Sequence, residues 1–336
     1  MRYRPLGRTG LKVSEICLGT MTFGVQCDEA TSFAILDKAA EGGVDFLDTA
    51  DVYPIPMSDL TAGRTEEILG RWLQGKRDRF VVATKCFFPM GGGPRDRGSS
   101  RHHVLASVEA SLRRLQTDYI DLYQVHAFDR ETPIEETLRA LDDLTRAGKV
   151  RYAGCSNFLA WELAKGLLAS DRLGIEGLVC TQPRYNVLHR DIELDLVPLC
   201  LDRGVGIIVF NPLAGGLLTG KHRRDSGPDP LSRFGSQLGA SAETYRRRYW
   251  REEFFDAIDE LSEVFRHTGK ELATAAVAWV LAQPGITAAI VGASRPEQLD
   301  ATLAASSLEL NAAERAALDD VWYKLPRARP ASGPVR

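Results

Sequence analysis

Four side chains could do chemistry together: Asp48, Tyr53, Lys85 and His126. Three of them close apolar runs that read as strands. Gly43-Val-Asp-Phe-Leu-Asp48 ends in an acid, Phe80-Val-Val-Ala-Thr-Lys85 in a lysine, and Ile120-Asp-Leu-Tyr-Gln-Val-His126 in a histidine. Side chains alternate along a strand, so Asp48 shares a face with Phe46, Lys85 with Ala83 and Val81, and His126 with Gln124, Leu122 and Ile120. Taken singly, each has an ordinary structural reading: a turn cap, a surface pair, loop packing, a hydrogen-bonded core histidine. As a set they explain one another. A lysine drawn into a protein interior must be paired or lose its charge, and Asp48 supplies the pair. The lysine's charge favours a phenolate, which predicts a lowered pKa for Tyr53 and a better proton donor near neutral pH. A neutral His126 could orient a carbonyl oxygen. Such a set places a proton on a carbonyl oxygen. The matching hydride must come from a cofactor, because no side chain can supply one.

The elements that would position these groups alternate regularly. After a Gly-turn hairpin at residues 4–13 and a short strand ending at Gly19, Glu29 to Glu41 carries helical spacing and stops at Gly42-Gly43. Strands are then predicted at 44–48, 80–85, 119–126, 150–155, 178–182, 205–210 and 287–291. The predicted helices lie near 65–74, 101–115, 134–147, 161–169, 193–203, 252–266, 271–282, 296–305 and 311–323. Residues 222–250 read as a long polar insertion. Eight strands with helices between them and no break in composition predict a single (β/α)8 TIM barrel with an N-terminal β-hairpin and extra C-terminal helices. The barrel would span residues 1–325, with a disordered Pro/Arg-rich tail at 326–336. A doubly wound sheet fits less well, since no strand is followed by a G-x-G-x-x-G turn opening a helix.

Composition narrows the functional class. A net charge of −3 gives no footing for nucleic acid or an anionic membrane, and the run Arg246-Arg-Arg248 reads as a solvated face. Cys17, Cys27, Cys86, Cys155, Cys180 and Cys200 are scattered without a C-x-x-C pair, several inside apolar runs. They read as core residues in a reducing, cytoplasmic setting, with neither a disulfide framework nor a zinc site. No apolar signal core opens the chain, and the most apolar long window, 275–293, is broken by Gln283-Pro-Gly285.

Asp48-Thr-Ala-Asp-Val-Tyr53, Ala83-Thr-Lys85, Gln124-Val-His126, Gly154-Cys-Ser-Asn-Phe158 and Gln182-Pro-Arg-Tyr-Asn186 occur in that order. Asn211-Pro-Leu-Ala-Gly-Gly-Leu-Leu-Thr-Gly-Lys221 and Gly292-Ala-Ser-Arg-Pro-Glu-Gln298 complete the series. This ordered set, running from residue 3 to about 305, resembles the aldo-keto reductases. The resemblance implies NADP(H) as cofactor and an aldehyde or ketone as small-molecule substrate. Tyr53 would be the proton donor, Lys85 and Asp48 its tuning pair, and His126 the carbonyl-orienting residue. Ser156, Asn157 and Gln182 would hold the nicotinamide carboxamide, and Phe210 would stack on its ring where the family usually has tyrosine. Asn211 stands where serine is common. The same resemblance brings Gly19, Thr20, Met21, Pro212, Leu213, Gly215, Leu217, Lys221 and Gly292 to the cofactor, with Ser294 and Arg295 meeting the adenosine 2′-phosphate and Gln298 near the adenine. Pro296 would open a helix whose N-terminus favours anions. Ala301-Thr302 departs from the family's usual polar pair at the adenine. Gly215 to His222 nearly matches a P-loop, but His222 stands where the Ser/Thr magnesium ligand belongs.

The substrate narrows to no single compound. A keto-deoxysugar or natural-product intermediate is one alternative. A cofactor-sensing regulatory subunit resembling the potassium-channel β subunits is another. A metal-dependent barrel hydrolase lacks its ligands, since the sequence has no His-x-His and no second strand-end histidine. Phe87, Phe88, Phe128 and Trp250 are candidates either for an apolar substrate pocket or for loop packing. Oligomeric state has no signature here.

Overall fold

Two short antiparallel strands, β1 (Tyr3–Pro5) and β2 (Lys12–Ser14), form the expected hairpin. The computed structural model describes residues 1–326, and apart from Pro326 the expected disordered tail lies outside the described residues. Eight parallel strands follow: β3 (Ile16–Gly19), β4 (Phe46–Asp48), β5 (Val81–Cys86), β6 (Ile120–Val125), β7 (Val150–Ser156), β8 (Cys180–Gln182), β9 (Gly206–Phe210) and β10 (Ile286–Gly292). They close into a barrel, with β10 paired to both β9 and β3.

Strand alternation sorts the core into two layers. Cys17, Phe46, Val81, Ala83, Leu122, Cys180, Ile208 and Ala288 fill the barrel. Leu18, Leu47, Val82, Tyr123 and Val125 point outward to the helices. The hairpin adds Leu6 and Val13 to the inner layer, so it plugs the N-terminal mouth. Its turn needs glycine: Gly7 has φ +59°, and a Cβ there would meet Gly204 O, Gly206 N and Val179 O at 2.7, 2.7 and 2.8 Å. With that end closed, chemistry is left to the C-terminal mouth.

The helical layer is α1 (Glu29–Glu41), α2 (Arg64–Trp72), α3 (Arg101–Leu115), α4 (Ile134–Arg146), α5 (Ala160–Leu173) and α6 (Leu196–Arg203), then α7 (Gly239–Tyr249), α8 (Glu252–Thr268), α9 (Leu272–Leu281), α10 (Leu299–Ala304) and α11 (Ala312–Lys324). Side-chain caps begin several of them, with Asp28 accepting from Thr31, Ser100 from His103 and Asn311 from Glu314. Every residue of α9 is buried, with α8, α10 and α11 packed on it. Among the described residues no helix is long and apolar enough to cross a membrane. All six cysteines are buried and unpaired.

Two segments add detail to the expected elements. The polar insertion contains a helix, α7, whose buried residues are only Ala242 and Tyr249, too few to give a helical period. Arg246 to Arg248 lie in its last turn, where cations are stabilised by the negative end of the helix dipole. The helix expected at 296–305 is a 3-10 turn, Pro296–Gln298, running into the six-residue α10.

Candidate active site

β4 and β5 pair with Asp48 beside Ala83, so Lys85, two residues further on the same face, rises to the Asp48 carboxylate. Lys85 is fully buried, and its Nζ lies 2.6 Å from Asp48 Oδ2 and donates to Thr49 O at 2.7 Å. Asp48 Oδ1 accepts from Gln182 Nε2 at 2.8 Å and from Gln124 Nε2 at 3.4 Å. Burial disfavours the ammonium, but the charge and hydrogen bond of Asp48 outweigh it and hold the Lys85 pKa above its ordinary 10.5. A buried charge is thus kept by a satisfied carboxylate.

The loop after β4 is stapled to β5: the Thr49 N–H donates to Ala83 O and the Asp51 N–H to Lys85 O. This brings the Tyr53 ring within 5.3 Å of Lys85 Nζ and 5.9 Å of the His126 ring. The expected lowering of the Tyr53 pKa is not what the environment produces. Burial is the largest influence and raises it; Lys85 pulls the other way, and the net direction is up from 10.0. The phenol therefore stays protonated throughout the neutral range. His126 follows β6, with its N–H on Cys86 O and its carbonyl oxygen accepting from Asn157 Nδ2. Burial first and Lys85 second hold it well below 6.5, so it is neutral. Its Nδ1 has no hydrogen-bond partner among the described residues. Phe88 packs edge-on to its ring at 4.9 Å.

Asp48, Tyr53 and His126 line a cleft of about 830 Å³, while Lys85 lies behind Asp48. Ser156, Asn157 and Gln182 share this cleft. Ser156 Oγ donates to Gln182 O, and Asn157 Nδ2 donates to Ser156 Oγ. Gln182 spends its NH2 on Asp48 and Gln124, which leaves its side-chain oxygen for something else. Gly19, Thr20, Met21, Phe210, Asn211, Pro212, Leu213, Gly215, Lys221, Gly292, Ser294, Arg295 and Gln298 also line the cleft, as do Ala301 and Thr302. Leu217 does not; its side chain is buried in the outer core.

The stretch after β9 forms a 3-10 segment, Ala214–Thr219, with Gly215 and Gly216 at φ 72° and 101°. Since no α-helix opens there, a P-loop arrangement is ruled out. Burial first, then the charges of Arg295 and Arg233 nearby, lower the Lys221 pKa below 10.5. Three cations around one cleft suit an anionic ligand. The expected helix N-terminus contributes less, because the Ser294 N–H is already taken by Gln298 Oε1 at 2.8 Å.

Sequence reasoning missed Arg233 and Tyr245, which reach the cleft from the insertion. Arg233 Nη1 donates to Tyr245 OH at 3.2 Å and touches Met21 Sδ at 3.8 Å, joining the insertion to the loop after β3. No local motif marks either residue. Of the four aromatic candidates, Phe87 packs edge-on to Phe88, Phe88 borders His126, Phe128 packs on Phe158 and Trp161, and Trp250 joins His222, Phe234 and Phe255.

A model described as the Aldo/keto reductase family matches residues 15–323. Relatives include a Bacillus subtilis protein described as the uncharacterized oxidoreductase YrpG, 40% identical over 329 residues covering 96% of each chain. A probable voltage-gated potassium channel subunit beta of Arabidopsis thaliana is 36% identical over 313 residues, 91% of each chain. Versiconal hemiacetal acetate reductase of Aspergillus parasiticus is 32% identical over 354 aligned residues, 98% of each chain.

Proposed function

The chain belongs to the aldo/keto reductase family, and from that premise we propose that it reduces an aldehyde or ketone to an alcohol with NADPH. One observation carries this reading: a protonated phenol, Tyr53, stands beside a lysine kept charged in the barrel mouth by Asp48.

When bound, NADPH supplies the hydride. Tyr53 gives its phenolic proton to the carbonyl oxygen as negative charge builds there, and Lys85 stabilises the phenolate left behind. Burial alone would make that phenolate costly, so the lysine's influence matters at the moment of transfer. His126, being neutral, can donate an N–H to the same oxygen without competing for its proton.

The cleft fits the cofactor. Ser156, Asn157 and Gln182 would bind the carboxamide, whose NH2 suits the uncommitted Gln182 oxygen. Phe210 offers a flat face to the ring. The glycine-rich loop at Gly215, with Lys221 nearby, would meet the pyrophosphate, and Ser294 and Arg295 the 2′-phosphate, which favours NADPH over NADH. Gln298 spends its side-chain oxygen on Ser294 and keeps its NH2 for the adenine side, where Ala301 and Thr302 offer little. The buried thiols suit the cytoplasm.

Two relatives sharpen the alternatives. The versiconal hemiacetal acetate reductase favours a natural-product carbonyl as substrate, and the channel subunit favours a cofactor-sensing role. NADPH oxidation measured against aldehydes, ketones and keto-sugars separates them. Turnover supports the reductase; tight NADPH binding without turnover on any of them supports the sensor.

A further inference from the structure

Tyr249 closes α7 and is 1% exposed, although it ends a long polar insertion. Its hydroxyl oxygen accepts two N–H donors, Asn186 Nδ2 at 3.1 Å from the loop after β8 and Asn211 Nδ2 at 3.0 Å from the loop after β9. Each amide is oriented by a separate contact: Asn186 Oδ1 accepts from the Leu188 N–H and Asn211 Oδ1 from the Gly215 N–H. In both, the NH2 is the end left for the tyrosine. Asn186 Nδ2 also donates to Asn211 O at 3.0 Å, which completes a triangle between three segments.

The triangle bears on the backbone at Asn211. That residue has φ +63°, a left-handed conformation that persists in a non-glycine residue when its surroundings enforce it. In this conformation its side chain caps Gly215, the first of the two positive-φ glycines lining the cleft. α7 touches the same glycine a second way. A Cβ on Gly215 would meet Tyr245 Cδ1 at 2.9 Å, and Tyr245 lies one helical turn before Tyr249.

We propose that Tyr249 is a positioning residue for cofactor binding, locking the 211–216 loop in the shape that receives the pyrophosphate of NADPH. The assignment rests on the NADPH reading above. Tyr249 lines neither the cleft nor the reacting atoms; it acts through Asn211 and couples the insertion helix to the cofactor loop.

Tyr249→Phe keeps the ring and leaves two N–H groups, the buried one of Asn186 and the half-buried one of Asn211, without their acceptor. NADPH affinity, read by fluorescence titration, should fall about five- to twentyfold, the factor expected for one or two such losses. The KM for NADPH should rise to match, while kcat at saturating NADPH and the KM for the carbonyl stay within about twofold. In an Asn211→Gly background, where the path is already cut, Tyr249→Phe should weaken NADPH by less than about twofold further. If Tyr249→Phe does not fold, Asn186→Ala, which removes the other donor to the same hydroxyl and lies outside the cleft, must show the same cofactor-only loss. An unchanged NADPH affinity in Tyr249→Phe, or a loss spread over kcat and both KM values, overturns the assignment and leaves the reductase reading intact. A wild-type protein that fails to bind NADPH overturns both.

Discussion

Asp48→Asn removes one charge and preserves shape, which isolates what the carboxylate does for Lys85. The ammonium is fully buried, with Asp48 Oδ2 at 2.6 Å and the Thr49 carbonyl at 2.7 Å. At that separation the attraction is about 6 kcal/mol with an effective dielectric of about 20. Against it stands a cost of several kcal/mol for taking each ion out of water. Removing the carboxylate strips the gain and keeps the lysine's cost, so we expect a loss of about 3–5 kcal/mol at neutral pH. The pH dependence should also change sign. The wild-type Lys85 value is raised above 10.5, so its contribution is fully present below that pH and is lost only as pH climbs through the folded value. In the variant burial dominates and the folded value drops below the unfolded one. The unfolded chain then binds more protons, and stability rises as pH rises from neutral towards 10.5. Urea unfolding of both proteins at several pH values reads the gap. It should be widest at neutral pH and narrow as the medium becomes alkaline. A gap below about 1 kcal/mol, or one that does not move with pH, would refute the reasoning.

Arg295→Ala should raise the KM for NADPH about ten- to a hundredfold, the worth of a charged hydrogen bond to phosphate, and leave that for NADH unchanged. Equal losses with both cofactors would remove Arg295 from the 2′-phosphate. Asp51 is fully buried with neither carboxylate oxygen partnered among the described residues, and burial, then Glu66, push its pKa well above 3.8. The folded state therefore holds a proton that the unfolded state releases, a linkage that costs stability increasingly above pH 3.8. Asp51→Asn should stabilise the protein at neutral pH by about 1 kcal/mol or more, with the gain disappearing in acid. Destabilisation at neutral pH in urea titrations would show that the carboxylate is ionised.

Strand parity made most of the site legible. Asp48, Lys85 and His126 share the inward face, because alternation puts them in phase with Phe46, Ala83 and Leu122, which fill the barrel. What parity does not weigh is burial. The Tyr53 expectation counted the lysine's charge and omitted desolvation, which sets the direction. Leu217 shows a different limit: its backbone lies in the cofactor-loop motif while its side chain enters the core. Arg233, Tyr245 and Tyr249 come from an insertion whose helix buries too little to show a period, so they carried no signal. The Asp51–Glu66 neighbourhood was equally silent, since a carboxylate inside a loop motif reads as solvated until its neighbours are known.

The proposed role of Tyr53 as proton donor is tested directly by comparing Tyr53→Phe with wild type, using the best carbonyl substrate and measuring NADPH affinity alongside kcat/KM. We expect kcat/KM to fall about a hundred- to ten-thousandfold while the NADPH Kd stays within about threefold. A Tyr53→Phe protein that keeps full activity would mean that the proton comes from elsewhere.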